Sequence, residues 1–101
     1  MPGQPYLGVD AGTSVVKAAV FDEAGHALAV QGKPVPLIHD AGGITGAVEQ
    51  DFEQILSTMG DVVKGVVAES GSVPGSVALT GQGDGCWLYD ENFRAVRPAL
   101  S

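Results

Sequence analysis

Three short apolar runs near the start of the chain are separated by polar, glycine-containing turns. The runs cover residues 6–10, 15–21 and 27–30 and are rich in alanine and valine. Short apolar runs bounded by turn-forming residues are typical of strands. We therefore predict a β-hairpin and a third strand that pairs back onto it. Residues 34–46 contain two prolines and three glycines, so we expect an irregular surface connection there.

The next segment carries the clearest helical pattern in the chain. From Phe52 to Val67, apolar residues recur at spacings of three and four, which is the period of an amphipathic helix. Asp51 stands just ahead of this pattern, with Gln54 three residues further on, as in a capping box. Gly71 is a suitable stop. These residues predict one helix that extends to about residue 70.

Further short strands are predicted after the helix, at residues 77–80 and 87–89, with a hairpin return through 95–97. The resulting order is β-β-β-α-β, which indicates an α/β fold with a mixed sheet. A right-handed crossover places the strand at 77–80 parallel to the first strand. Asp10 ends the first strand and Gln82 follows the later one, so we expect them to face a common cleft, where α/β sheets bind ligands.

Composition restricts the classes of function. The chain has 101 residues, of which 45% are hydrophobic and 17% charged, as in one globular domain. Twelve acidic residues against five basic ones give a net charge of -7, which argues against a nucleic-acid partner. The single cysteine excludes an internal disulfide and favours the cytoplasm. We see no signal peptide and no apolar segment long enough for a membrane span, so no membrane partner is expected.

The first candidate site has the pattern D-x-G-T-x-x-x-K at residues 10–17. A glycine turn can direct backbone N–H groups toward phosphate oxygens, and the hydroxyls of Thr13 and Ser14 add donors. Lys17 could supply a positive charge, and Asp10 could hold Mg²⁺ through water. The residues alone fit an ordinary surface turn equally well. Neither a P-loop nor a Rossmann glycine pattern is present.

The second candidate site is the glycine-rich segment at residues 80–85. Gln82 and Asp84 stand among three glycines, and such a bend lets backbone and polar side chains approach a polyol closely. Taken alone, the segment also fits a plain glycine-rich loop. His26 and His39 lack metal-ligand spacing and are interpreted as surface residues, and Cys86 as a small packed residue.

Four segments in sequence carry a resemblance to a known family: residues 7–22, 49–51, 77–85, and 88–92 with 97–100. Together they resemble the FGGY family of carbohydrate kinases over nearly the whole chain. The resemblance implies an actin-like ATPase, ribonuclease-H-like fold in which two domains enclose ATP and sugar. Residues 1–101 would then be part of the N-terminal domain only.

The resemblance also implies roles for the residues of both sites. Asp10 would support Mg²⁺ through water. The ATP phosphates would be approached by the turn and the lysine after it: Gly12, Thr13, Ser14, Val15 and Lys17. The sugar would be contacted by Gln82, Gly83 and Asp84. The sequence of this second segment most resembles the erythritol-kinase-like branch, followed by the xylulose kinases. This resemblance implies that the substrate is a sugar alcohol in preference to a ketose.

The function expected from this resemblance is ATP-dependent transfer of the γ-phosphate to a hydroxyl of a sugar or sugar alcohol. The family's catalytic aspartate would lie beyond residue 101, so no catalytic residue is assigned and the chain alone is expected to be inactive. Apolar surface left open by the missing remainder, mainly on the helix, is expected to favour self-association. The alternative is a non-catalytic binding or structural domain with the actin-like fold.

Overall fold

The computed structural model describes residues 4–83 and 85–100. Asp84, which was assigned to the second candidate site, lies outside the described residues. The elements, in chain order, are β1 (Tyr6–Ala11), β2 (Val15–Phe21), β3 (Ala27–Pro34), β4 (Ile38–His39), a 3₁₀ turn (Ala41–Gly43), β5 (Val48–Gln50), α1 (Phe52–Ser70), β6 (Ser76–Gly81) and β7 (Ala99–Leu100).

The main sheet has the strand order β3-β2-β1-β6. β1 pairs antiparallel with β2 and parallel with β6, so that Asp10 lies opposite Lys17 on one side and Thr80 on the other. The β-β-β-α-β order and the parallel pairing predicted from the crossover rule are both confirmed. The parallel pairing brings the ends of β1 and β6 to the same edge of the sheet.

α1 packs across β2 and β3 on one face of the main sheet. Its buried residues Val62 and Val66 join Leu7, Val9 and Val20 from the strands in one core cluster. The predicted helix ends are confirmed, because the Asp51 carboxylate accepts a hydrogen bond from the backbone N–H of Gln54 at 3.3 Å and Gly71 adopts a left-handed φ of 68°. The apolar stripe of α1 therefore packs against the sheet and holds the helix in place.

The largest uncovered apolar strand is β6 at the edge of the sheet, all of whose residues are exposed. Val77 and Leu79 are each 66% exposed, whereas Leu56, on the helix, is 46% exposed. The expected apolar surface thus lies more on β6 than on the helix, because α1 covers β2 and β3 and leaves β6 open. Within residues 4–83 and 85–100, no helix is long and apolar enough to cross a membrane.

Two regions differ from the sequence-based expectation. Residues 34–46 were expected to be irregular, but β4 lies within them and pairs with β5, which pairs in turn with β7 to form a second, small sheet. Residues 87–89 were expected to form a strand with a hairpin return through 95–97. The antiparallel return is present, because Tyr89 pairs with Ala95 and the N–H of Val96 donates to the Leu88 carbonyl at 3.0 Å, but neither side forms a regular strand. Cys86 is exposed and not packed as interpreted.

Candidate functional site

The turn between β1 and β2 is tight and requires glycine at its first position. The backbone N–H of Gly12 donates to the carbonyl oxygen of Val15 at 3.1 Å. A Cβ atom on residue 12 would lie only 2.8 Å from that same oxygen, which is closer than carbon and oxygen can approach without movement of the backbone. Thr13 and Ser14 form the exposed tip of the turn.

Both carbonyl groups at the tip of this turn are anchored to neighbouring segments. The Thr13 carbonyl accepts from the side-chain amide of Gln50 at 2.6 Å, and the Ser14 carbonyl accepts from the backbone N–H of Val35 at 2.8 Å. Within the part of the chain that the structure describes, the N–H groups of Thr13 and Ser14 donate no hydrogen bond. The turn is therefore fixed through its acceptors and retains donors for an anion.

Asp10 and Lys17 lie on the sheet face opposite α1. Side chains alternate along a strand, so burial of Val9 against the helix directs Asp10 the other way. Asp10, Lys17 and Thr80 line a groove of about 440 Å³ on this face. Gly32 on β3 makes room for the lysine, because a Cβ there would lie 3.3 Å from Lys17 Cγ.

The donor set near the turn fits a magnesium ion that arrives with a nucleotide. Among the described residues, no group of three or more His, Cys, Asp or Glu side chains could hold a metal by itself. Mg²⁺ bound to phosphates needs only one or two protein carboxylates and keeps several waters. Asp10 is exposed and forms no ion pair within the described residues, so one hard oxygen ligand is present.

Gln82 begins the second candidate segment immediately after β6. Its side-chain Nε2 donates to Oε1 of Gln50 at 2.8 Å. Gln82 lines a second groove, of about 420 Å³, together with Leu79, Trp87 and the first turn of α1. Gly83 is exposed next to it. The segment therefore combines a polar amide with an apolar wall, as pockets for small ligands do.

The two candidate segments meet at one sheet edge, but Asp10 and Gln82 do not line the same groove. The first groove contains Asp10 and the second Gln82, and both contain Leu79 and Thr80. The expectation of a single common cleft was wrong in this respect. The reason is that Gln82 lies beyond the end of β6, where its side chain hydrogen-bonds Gln50 and faces the first turn of α1, whereas Asp10 lies within β1 opposite Thr80.

Gln50 is a functional candidate that sequence reasoning missed. Its side chain is fully buried and hydrogen-bonds both the Thr13 carbonyl and Gln82, so it joins the two candidate segments. In the sequence, the only indication of its importance was its position in the short segment 49–51 ahead of the helix, and that segment was assigned no role.

The polar residues in the turn after β2 are explained by hydrogen bonds within the turn itself. The backbone N–H of His26 donates to the Asp22 carboxylate at 2.8 Å. This hydrogen bond, with a smaller contribution from the His26 side chain, lowers the pKa of Asp22 below its ordinary value of 3.8. The turn lies at the end of β2 opposite the Gly12–Val15 hairpin, so it is not part of the candidate site.

Comparison with known proteins gives consistent matches. The family model for the N-terminal domain of the FGGY family of carbohydrate kinases matches residues 5–101. Erythritol kinase from Brucella abortus is 33% identical over 101 residues, which cover 96% of this chain and 19% of that protein. Glycerol kinase from Gloeobacter violaceus is 34% identical over 84 residues, covering 83% of this chain and 16% of that protein.

Solved structures show the same fold. A xylulose kinase from Rhodospirillum rubrum aligns with a TM-score of 0.85 at 23% identity, over 96% of this chain and 20% of that one. Plasmodium falciparum glycerol kinase with ADP aligns with a TM-score of 0.79 at 14% identity, over 98% of this chain and 20% of that one. The predicted actin-like ATPase fold is confirmed, and the chain spans about one fifth of the length of these relatives.

Proposed function

The chain belongs to the FGGY family of carbohydrate kinases, and from this premise we propose that it is the first part of an ATP-dependent kinase that phosphorylates a hydroxyl of a sugar alcohol. Residues 1–101 then form part of the N-terminal domain, and the rest of that domain and a second domain complete the site. The group that activates the acceptor hydroxyl lies outside this chain, so the chain alone is inactive.

The observation that carries the proposal is the shared sheet edge at the ends of β1 and β6. Ala11 pairs with Gly81 in the parallel register, so the phosphate turn and the Gln82 segment begin side by side. Phosphoryl transfer depends mainly on holding the donor phosphate and the acceptor oxygen in line. Two adjacent segments, one rich in N–H donors and the other carrying an amide beside an apolar wall, suit that task.

The nucleotide end of the site is formed by the turn and by Lys17. Its proposed phosphate contacts are Gly12, Thr13, Ser14, Val15 and Lys17. Anchored carbonyls keep the N–H groups of Thr13 and Ser14 in place, which lowers the ordering cost of binding phosphate. Asp10 is proposed to hold Mg²⁺ through water, and the ion would neutralise phosphate charge that builds up during transfer.

The acceptor end is proposed to consist of Gln82, Gly83 and Asp84. Its substrate is a small sugar alcohol, because the relatives named erythritol kinase and glycerol kinase are 33% and 34% identical to this chain. A relative named probable L-xylulose kinase, from Haemophilus influenzae, is 24% identical. We place the reaction in the cytoplasm, where ATP is abundant and a lone thiol such as Cys86 stays reduced.

A comparison of two lysines tests the nucleotide assignment in the complete kinase. Lys17→Met removes the proposed phosphate contact and should raise the KM for ATP about tenfold or more, as expected for one charged hydrogen bond. Lys33→Met is the matched control, because Lys33 pairs with Asp61 at 3.2 Å on the helix-facing side. Its KM should stay within about twofold of wild type. Equal KM values for the two variants would remove Lys17 from the site.

A further inference from the structure

We propose that Gln50 is a positioning residue that orients the amide of Gln82, so that the side-chain carbonyl of Gln82 accepts a hydrogen bond from a substrate hydroxyl. This inference rests on the proposed function, because it concerns the acceptor end of the same site. It adds Gln50 to that end of the site and specifies which side of the Gln82 amide faces the substrate. It also links the acceptor end physically to the phosphate turn.

The backbone of Gln50 is fixed by regular structure on both sides, independently of its side-chain contacts. It is the last residue of β5, and its backbone pairs with the buried Ala99 of β7. The next residue, Asp51, caps α1 through its side chain. Gln50 itself has no exposed surface. A side chain fixed between a sheet and a helix start can hold its partners in one geometry at little entropic cost.

The polarity of the linkage follows from its first member. The Thr13 carbonyl oxygen can only accept a hydrogen bond, so the group 2.6 Å away must be the Nε2 donor of Gln50. The carbonyl oxygen of Gln50 therefore faces the other way. That oxygen lies 2.8 Å from the Gln82 amide, and because it too can only accept, Gln82 must present its own NH₂ group. Neither amide can be turned over without placing two acceptors or two donors together.

The remaining oxygen of Gln82 determines what this end of the site recognises. With its NH₂ group directed to Gln50, the amide leaves Oε1 on its other side, and within the described residues that oxygen accepts no hydrogen bond. Gln82 is half-buried and lines the groove beside Leu79 and Trp87. An oxygen acceptor in this position binds a substrate hydroxyl, of a polyol or of a ketose, and cannot bind a carbonyl oxygen.

A double-mutant cycle in the complete kinase tests the linkage. Gln82→Met and Gln50→Met should each raise the KM for the polyol about tenfold, and the double variant should be no worse than Gln82→Met. Such non-additivity is expected when one residue acts only through the other. Gln31→Met is the control, because Gln31 bonds Glu69 away from the site; its KM should stay within about twofold. If the KM increases of the two single variants multiplied in the double variant, the proposal would be overturned.

A measurement on the unmodified kinase covers the case in which Gln50→Met does not fold. With glutamine-selective ¹⁵N labelling, side-chain N–H protons of Gln50 and Gln82 should exchange with solvent far more slowly than those of the exposed Gln54. Equal exchange rates for all three would refute the linkage. Failure of the proposed function is separately visible, because the wild-type kinase would then show no polyol-dependent turnover while this exchange pattern persists.

Discussion

Replacement of Asp10 by asparagine in the complete kinase is expected to lower kcat about 10- to 100-fold, the usual cost of losing an outer ligand of a functional metal. Asparagine keeps the shape of the side chain but not its charge. Negative charge near Mg²⁺ contributes most when charge shifts during transfer, so turnover should suffer more than polyol binding. The KM for the polyol should stay within about twofold. Raising the Mg²⁺ concentration should restore part of kcat.

Asp61→Asn is the matched control for this experiment. Asp61 is exposed on α1 and pairs only with Lys33 in the part of the chain described, so loss of its charge should leave kcat within about twofold of wild type. The metal assignment of Asp10 would be wrong if Asp10→Asn kept a normal kcat, or if its only effect were on the KM for the polyol.

Replacement of Gly12 by alanine should damage the phosphate turn through backbone displacement. The added methyl group would lie 2.8 Å from the Val15 carbonyl oxygen, which also accepts the Gly12 N–H. The hairpin must open to relieve this contact, and Thr13 and Ser14 move with it. Overpacking of this kind costs about 1–3 kcal/mol. We expect kcat/KM for ATP to fall about tenfold or more, with a lower thermal midpoint.

Gly60→Ala provides the control for the alanine substitution. Gly60 lies inside α1, and a Cβ atom there meets nothing within 4 Å. Alanine is favoured over glycine in a helix by up to about 1 kcal/mol, so this variant should be more stable and equally active. A Gly12→Ala kinase with unchanged ATP kinetics would contradict the proposed role of the turn.

The main sheet and its helix could be predicted because their signals are local and repeated. The apolar spacing from Phe52 to Val67, with Asp51 and Gly71 at its ends, agrees with the observed helix. The parallel pairing of β1 with β6 follows from the handedness of crossover connections and needs no knowledge of particular side chains. The turn at Gly12 was identified for the same reason, since its residues are contiguous.

The second sheet and the role of Gln50 could not be predicted from such signals. β4 and β7 have two residues each and β5 three, which is too short for an alternating pattern to be recognised. Their pairing joins residues far apart in the chain. Burial of Gln50 depends on this pairing, and a lone glutamine ahead of a helix gives no indication that its side chain will be enclosed.

In residues 87–97 the predicted turn and return are present, but the flanking stretches are less regular than the apolar pattern indicates. The alternation around Trp87 and Tyr89 favours a regular strand, but the Asp90 side chain accepts hydrogen bonds from the backbone N–H groups of Asn92 and Arg94. Phe93, between these two residues, has a left-handed φ of 60°. This tight turn leaves only short stretches on either side for pairing, because the Asp90 carboxylate satisfies the backbone locally.

The most direct test of the central claim is ADP release by the complete kinase with ATP, Mg²⁺ and a panel of alditols and ketoses. We predict release that depends on a small alditol such as erythritol or glycerol, and none from residues 1–101 alone under the same conditions. Release that depends only on ketoses would support the assignment as a kinase but show that its substrate is a ketose. Absence of sugar-dependent release from the complete protein with every member of the panel would contradict the account and favour a non-catalytic actin-like domain.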